Sequence, residues 1–246
     1  MPARLRLFGA GVRAQMVMDL VAWQLRDAFV VEGAYDDAKA PGTPVRGAAV
    51  VLGPVEQGLH DAARDPGCHF LVAFGTRARR GACELFMRLR EIGAPLPTLV
   101  APGASVSPSA RVGAGAVVLP SAFLGCDVEV GDLCFIHAGA TVEHHSRLGR
   151  DVLAAPGSSV ASGVRVGDHC FLGVGSAIAP ECEVGAGTLL GAGAVVVGPH
   201  PPHSVVYGNP ARVRRPVTAG DEVLTAAELD ALVAAGWGGA QPGGRP

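Results

Sequence analysis

The sequence predicts a small α/β unit followed by a parallel β-helix. Strand-like and helix-like apolar segments alternate over the first hundred residues. Beyond them, aliphatic residues recur every six positions. Glycine supplies 35 of 246 residues while aromatics supply only 5%, so the backbone turns often and the core is built from Val, Leu, Ile and Ala. A hydrophobic content of 49% argues against wholesale disorder. A formal net charge of −2 gives no electrostatic case for a nucleic-acid partner.

The first element is RLRLF (4–8), read as a buried strand. GAGVRA (9–14) follows it and leads into the helix candidate MVMDLVAWQL. AFVVEGAYDD gives a second strand that ends at Asp36 and Asp37. HFLVAFG (69–75) is a third strand, followed by a helical pattern over residues 77–92. This order suits a small parallel α/β unit of about 100 residues. Gly9-x-Gly11 between a strand and a helix is half of a dinucleotide fingerprint, with Ala14 in place of the last glycine. By itself it fits a tight turn or a phosphate or sugar site equally.

The β-helix rests on register. Stepping by six from Val106 to Leu190 meets Val, Leu or Ile at fourteen of fifteen positions, Ala154 being the exception. Four residues beyond each of these, from Ala110 to Ala194, every side chain is small or β-branched. Two inward positions per hexad suit a short strand whose side chains alternate in and out. Three hexads make one triangular coil of eighteen residues, so the run predicts about five coils. Eight hexads carry Gly directly after the aliphatic residue, as at Gly131 and Gly149, and these are read as positive-φ turn positions. Cys134, Cys170 and Cys182 fall on the small inward position and are read as core filler.

The chain then passes through HPPHSVVYGNPARVRRP to Thr225-Ala-Ala-Glu228, a capping box that opens a short helix. The last segment, GWGGAQPGGRP (236–246), reads as disordered. The domains predicted are therefore 1–100, 101–215 and a tail, 216–246. No CxxC pair and no zinc-finger spacing occur among the six cysteines, and the N-terminus lacks an apolar signal stretch. A reduced, cytoplasmic setting is expected. The longest uncharged run, near residues 184–203, is broken by Gly and Pro and keeps the six-residue period, so no membrane span is expected.

An α/β unit, hexads, a histidine in mid-run and a terminal GNPA form a specific combination. The motifs are FGAG (8–11), AYDD (34–37), VEHHSRLG (142–149), FLGVGSAI (171–178) and YGNPARV (207–213). Over residues 4–215 the chain resembles the bacterial sugar acyltransferases that include UDP-4-amino-sugar N-acetyltransferases, perosamine N-acetyltransferases and sialic acid O-acetyltransferases. The resemblance implies a left-handed β-helix preceded by a Rossmann-like nucleotide-sugar-binding unit, acetyl-CoA as co-substrate, no metal, and a homotrimer with active sites between neighbouring β-helices. It implies that His144 is the general base, flanked by Glu143 and His145. An imidazole titrating near pH ~6.5 suits that task. Acyl-CoA contacts map to Leu153, Val174 and Ala192. Acceptor contacts map to Gly11, Val12, Arg13, Asp36 and Asp37, with Gly75 beside them. Arg212, Arg214 and Arg215 are either CoA-phosphate contacts or a solvated basic end.

The chain departs from the family at three positions. His145 stands where an acidic residue usually follows the base, Leu153 where a second histidine stands, and Arg13 where the loop carries a histidine. Glu143, or Asp127 eighteen residues below His145, is the candidate for the missing carboxylate. The expected activity is N-acetylation of a nucleotide-linked amino sugar, because a deprotonated amine asks less of a base than an alcohol does. O-acetylation of a sialic-acid-type sugar and an inactive trimeric nucleotide-sugar-binding scaffold are the other readings. Zinc chemistry of the γ-carbonic-anhydrase kind needs two histidines five apart, and no two of His137, His144, His145 and His169 have that spacing. His137 and His169 are read as turn or surface residues.

Overall fold

The computed structural model describes residues 1–237, and the chain divides into two compact units, Met1–Pro102 and a second that begins at Gly103. In the first unit, strands β1 (Ala3–Phe8), β2 (Phe29–Tyr35), β3 (Pro44–Arg46), β4 (Ala49–Gly53) and β5 (Cys68–Val72) form one sheet in the order β3-β4-β2-β1-β5. All pairings are parallel except β3 with β4. Helices α1 (Val12–Leu20), α2 (Val55–Arg64) and α3 (Arg79–Glu91) connect them. β1 alternates: Leu5 and Leu7 are fully buried, while Arg4 and Arg6 pair with Glu32 at 2.5 and 2.7 Å. Residues 38–67, left unassigned by the sequence pattern, supply β3, β4 and α2. α3 starts two residues later than the pattern suggests, because Thr76–Ala78 form a tighter 3₁₀ turn.

In the second unit, sixteen two-residue strands between Ser105 and Val196 wind through five coils. They stack in parallel on three faces. The first face holds Phe123–Leu124, Thr141–Val142, Ser159–Val160 and Ala177–Ile178; the second holds Glu129–Val130 and Arg147–Leu148; the third holds Phe135–Ile136, Leu153–Ala154 and Phe171–Leu172. From Ala116 to Val196 both inward positions of every hexad are buried, and the most exposed of them, Cys182, reaches only 7%. Burying each large aliphatic contributes about 1.5–3 kcal/mol. The backbone ladder runs unbroken between coils, as in Phe135 N–H to Val152 O at 3.0 Å and His137 N–H to Ala154 O at 2.9 Å.

The turns differ from the expectation. The glycines directly after the aliphatic residues do not have positive φ; the left-handed residue lies two positions later, at Asp127, Leu133, Gly139, His145, Asp151, Gly157 and onwards every six residues. The earlier glycine answers a different demand. A Cβ on Gly131 would lie 2.6 Å from the backbone of Gly149 in the next coil. Close approach of the coils, not backbone conformation, requires glycine there.

After the coils, Ser204–Gly208 and Ala211–Pro216 pair as an antiparallel hairpin across a cis Asn209–Pro210 bond. Arg215 holds Asp221 at 2.6 and 2.7 Å, which keeps that carboxyl well below the usual carboxylate range. The capping box forms as predicted and opens α4 (Ala226–Leu232). Two expectations are corrected. Gly236 and Trp237, assigned to a disordered end, follow directly on the helical turn after α4: Gly236 breaks it with φ 106°, and Trp237 is only 2% exposed with its ring 5.1 Å from that of His169; residues 238–246 lie outside the described residues. His169 is a turn residue but not a surface one: it is fully buried and bonds Asp151 at 2.9 Å. His137 is half-buried, 4.9 Å from the Phe135 ring. No helix among the described residues is long and apolar enough to cross a membrane.

The two kinds of turn position separate by mutation. Gly131→Ala is expected to lose about 1–3 kcal/mol through overpacking against the next coil. Ser121→Gly, at an exposed residue with φ 63°, is expected to leave stability unchanged or to raise it by up to about 1 kcal/mol. Denaturant melts of the two variants check this, and equal losses would contradict it.

Candidate active site

Two groups of predicted residues are brought together, each within one unit. In the first unit, the carboxyl ends of β2, β1 and β5 lie side by side, so the Gly9–Gly11 loop, Asp36–Asp37 and Gly75 share one sheet edge. The chain leaves β1 towards β2 on one side, and β5 pairs on the other. Open α/β sheets gather ligands at this kind of switch point. Gly9 has φ 100°, and a Cβ there would strike Phe74 at 2.7 Å, so the loop needs glycine for its own shape. Gly11 and Gly75 are different: a Cβ on either would meet nothing within 4 Å. Gly11 leaves clear space at the N-terminus of α1, where backbone N–H groups favour an anion, and Gly75 leaves it at the head of the turn Thr76–Ala78.

The acidic pair of this edge acts on the loop and on a helix. Asp36 accepts the Ala10 N–H at 2.7 Å and the Ala38 N–H at 2.9 Å. Asp37 accepts the Val55 N–H at 2.8 Å and so tethers the start of α2. Lys39, the sole lysine, donates to the Ala10 carbonyl at 2.6 Å and closes a clamp on the loop that sequence reasoning missed. Val12 is 73% exposed and Arg13 half-buried at the head of α1.

In the second unit, Glu143, His144 and His145 form the exposed corner after the first-face strand Thr141–Val142. The coil ladder fixes that corner from both sides: His145 N–H donates to Cys126 O at 2.9 Å, and His144 O accepts Gly163 N–H at 3.0 Å. Beneath it, a Cβ on Gly125 would sit 2.9 Å from the His144 nitrogen, so the corner rests on bare backbone. His145 has φ 59°, as does its neighbour one coil below, Asp127, at 54°. Two left-handed residues stacked in register bring their side chains into one column.

The result is a line of three groups. His144 Nδ1 lies 2.9 Å from His145 Nδ1, with the rings perpendicular, and His145 Nε2 lies 3.7 Å from Asp127 Oδ2. Asp127 is held in turn: its N–H donates to Ser109 Oγ at 2.9 Å, and Cys126 Sγ donates to its carboxylate at 3.4 Å. Of the two carboxylates open at the sequence level, Asp127 faces the histidines, while Glu143 is exposed and uses its backbone N–H on Val160 O at 2.8 Å. An exposed imidazole held through one ring nitrogen can take a proton at the other.

Val174 and Ala192 stack one coil apart on a different corner, between the third and first faces, and both are exposed. Leu153 is not with them; it is a third-face strand residue, only 6% exposed, paired with Phe135 and Phe171. The first face runs between the His144 corner and the Val174–Ala192 corner. Its outward side chains Thr141, Ser159 and Ala177 are small, and Thr141 Oγ1 donates to Ser159 Oγ at 3.1 Å. The three arginines after GNPA are exposed: Arg215 is paired with Asp221, Arg214 lies over the Tyr207 ring at 4.9 Å, and Arg212 donates to the carbonyl of Ala211.

No protein-family model matches the chain, and no curated protein does. Solved structures match strongly. A point mutant of perosamine N-acetyltransferase from Caulobacter crescentus, in complex with CoA and GDP-perosamine, is 31% identical over 86% of this chain and 96% of its own, with a TM-score of 0.77. The acetyltransferase domain of PglB from Neisseria gonorrhoeae, in complex with acetyl coenzyme A, is 29% identical over 87% of this chain and 100% of its own, with a TM-score of 0.78. WeeI from Acinetobacter baumannii, at 22% identity and a TM-score of 0.62, shares the fold. The coils are of the left-handed kind.

The loop clamp is directly testable. Asp36→Ala is expected to speed amide exchange at Ala10 by at least about tenfold, the worth of one hydrogen bond to a charged acceptor. Asp37→Ala leaves the Ala10 amide unchanged and costs about 1 kcal/mol in a melt through the lost tether on α2. Unchanged Ala10 exchange in Asp36→Ala contradicts the clamp.

Proposed function

The chain belongs to the bacterial sugar acyltransferases of the left-handed β-helix type, and from that membership we propose that it transfers the acetyl group of acetyl-CoA to the amine of a nucleotide-linked amino sugar. One observation carries the reading: His144 is an exposed imidazole on a rigid coil corner, with one ring nitrogen engaged and the other available as a base.

The reaction follows from that group. Acceptor and thioester meet at the His144 corner, and the Nε2 lone pair takes a proton from the sugar amine as the nitrogen attacks the acetyl carbonyl. The tetrahedral intermediate collapses by breaking the carbon–sulfur bond, and protonated His144 returns its Nε2 proton to the departing thiolate of CoA, which restores the base. Holding amine, thioester and base together removes most of the entropic barrier. The open space beside Gly11 and Gly75 suits the nucleotide diphosphate, which the start of α1 and Arg13 attract. The exposed corner of Val174 and Ala192 suits the acyl-CoA arm, with the small side chains of the first face beside it.

The working form in this proposal is a homotrimer in the reducing cytoplasm, with each His144 corner completed by a neighbouring β-helix. All six cysteines carry free thiols, which agrees with such a compartment. Light scattering of the purified protein is expected to give three times the chain mass.

The test is steady-state kinetics with acetyl-CoA and GDP- or UDP-linked 4-amino sugars as acceptors. His144→Ala is expected to fold normally, since the side chain is exposed, and to lower kcat by about 10²–10⁴-fold with little change in either KM. Asp36→Ala, which unbuckles the loop, is expected to raise the acceptor KM and leave the acetyl-CoA KM nearly intact. Full turnover by His144→Ala overturns the general-base reading. Acceptor binding without turnover by the wild-type protein favours the inactive scaffold.

A further inference from the structure

We infer that His144 is set as a base by a two-part relay that crosses between coils, with His145 and Asp127 as positioning residues; this rests on the general-base reading above. The hydrogen positions follow from the line of groups. Asp127 presents only acceptor oxygens, so the His145 nitrogen 3.7 Å away is favoured as the protonated one. With its hydrogen on Nε2, neutral His145 has only a lone pair at Nδ1. The 2.9 Å contact between the two Nδ1 atoms then requires His144 to be the donor. A neutral His144 that donates from Nδ1 has its lone pair on Nε2, the nitrogen turned away from the pair. Asp127 thus selects the tautomer of a ring it does not touch.

The same line accommodates the proton that catalysis delivers. When Nε2 of His144 takes a proton from the amine, its Nδ1–H can shift toward Nδ1 of His145, whose Nε2–H faces the Asp127 carboxylate. The positive charge is spread over two rings and ends beside an anion, and no proton enters or leaves the line except at His144 Nε2.

The exposure of the pair supports a positioning role. With side chains 66% and 56% exposed, His145 and Asp127 do little for the fold. The buried pair in the equivalent position of another corner, Asp151 with His169, is the structural counterpart.

The experiment is long-range ¹H–¹⁵N correlation NMR on the full-length ¹⁵N-histidine protein at pH ~8, above the ordinary imidazole range, paired with kinetics on acetyl-CoA and the amino-sugar nucleotides above. The expected wild-type result is His144 in the Nδ1–H tautomer and His145 in the Nε2–H tautomer. Asp127→Asn is expected to mix the tautomers of both rings and lower kcat about fivefold, and Asp127→Glu restores both. His145→Ala is expected to lower kcat about 10- to 100-fold with KM unchanged, the worth of one hydrogen bond to a charged ring. A wild-type His144 carrying its hydrogen on Nε2 overturns the relay whatever the activity. So do Asp127→Asn and His145→Ala proteins with wild-type kcat, while His144→Ala still fails; in that case the base survives and its relay does not. A relay seen by NMR beside a fully active His144→Ala overturns the base reading and takes the catalytic role of the pair with it.

Discussion

Every eighteenth residue of the second unit lies one coil above its predecessor, and the ladder of backbone hydrogen bonds between coils enforces that register. The rest of the second unit depends on it. Two inward positions per hexad are buried because each coil is sandwiched between its neighbours; the first coil has no coil beneath it, and Val106 and Ala110 remain half-exposed. Glycine follows many of the aliphatic residues because the next coil passes too close for a Cβ. The proposed chemistry uses the same register. Asp127 faces His145, and Gly125 lies beneath the His144 nitrogen, because each pair occupies stacked corners. A one-residue slip would turn His144 towards another column and bury a polar side chain.

The first unit solves a different problem with a different device. A glycine loop at a sheet edge has many conformations, and binding would have to select one of them at an entropic cost. Here the loop is fixed beforehand at Ala10, through its N–H by Asp36 and through its carbonyl by Lys39. The acidic residues at the end of β2 therefore shape the loop and the start of α2, while Gly11 and Gly75 face open space. Each unit thus holds one preformed piece: an edge suited to a nucleotide in the first and a corner suited to a base in the second.

Much of this was legible in the sequence, for a physical reason. A β-helix repeats one environment every six residues, so its pattern is written many times over, and a departure at one hexad does not hide it. The eighteen-residue spacing also brought Asp127 into consideration as a partner of His145. Two glycine requirements look identical in sequence, however. Positive φ and close approach both exclude a side chain, and only the coordinates assign the first to Gly139 and the second to Gly131. Lys39 and Trp237 escaped because their partners, Ala10 and His169, are distant along the chain and no local pattern marks the pairing. β4 escaped because a short apolar run has no period of its own.

The central claim is that this fold, with this corner, moves an acetyl group onto a sugar nitrogen. The most direct measurement is mass spectrometry of the products after incubating the purified protein with isotope-labelled acetyl-CoA and a nucleotide-linked 4-amino sugar. The account predicts that the label appears as an amide on the sugar nitrogen, with one free CoA released per acetyl group transferred. Labelled acetyl-CoA recovered intact, or label found on a sugar hydroxyl with the amine untouched, would contradict it.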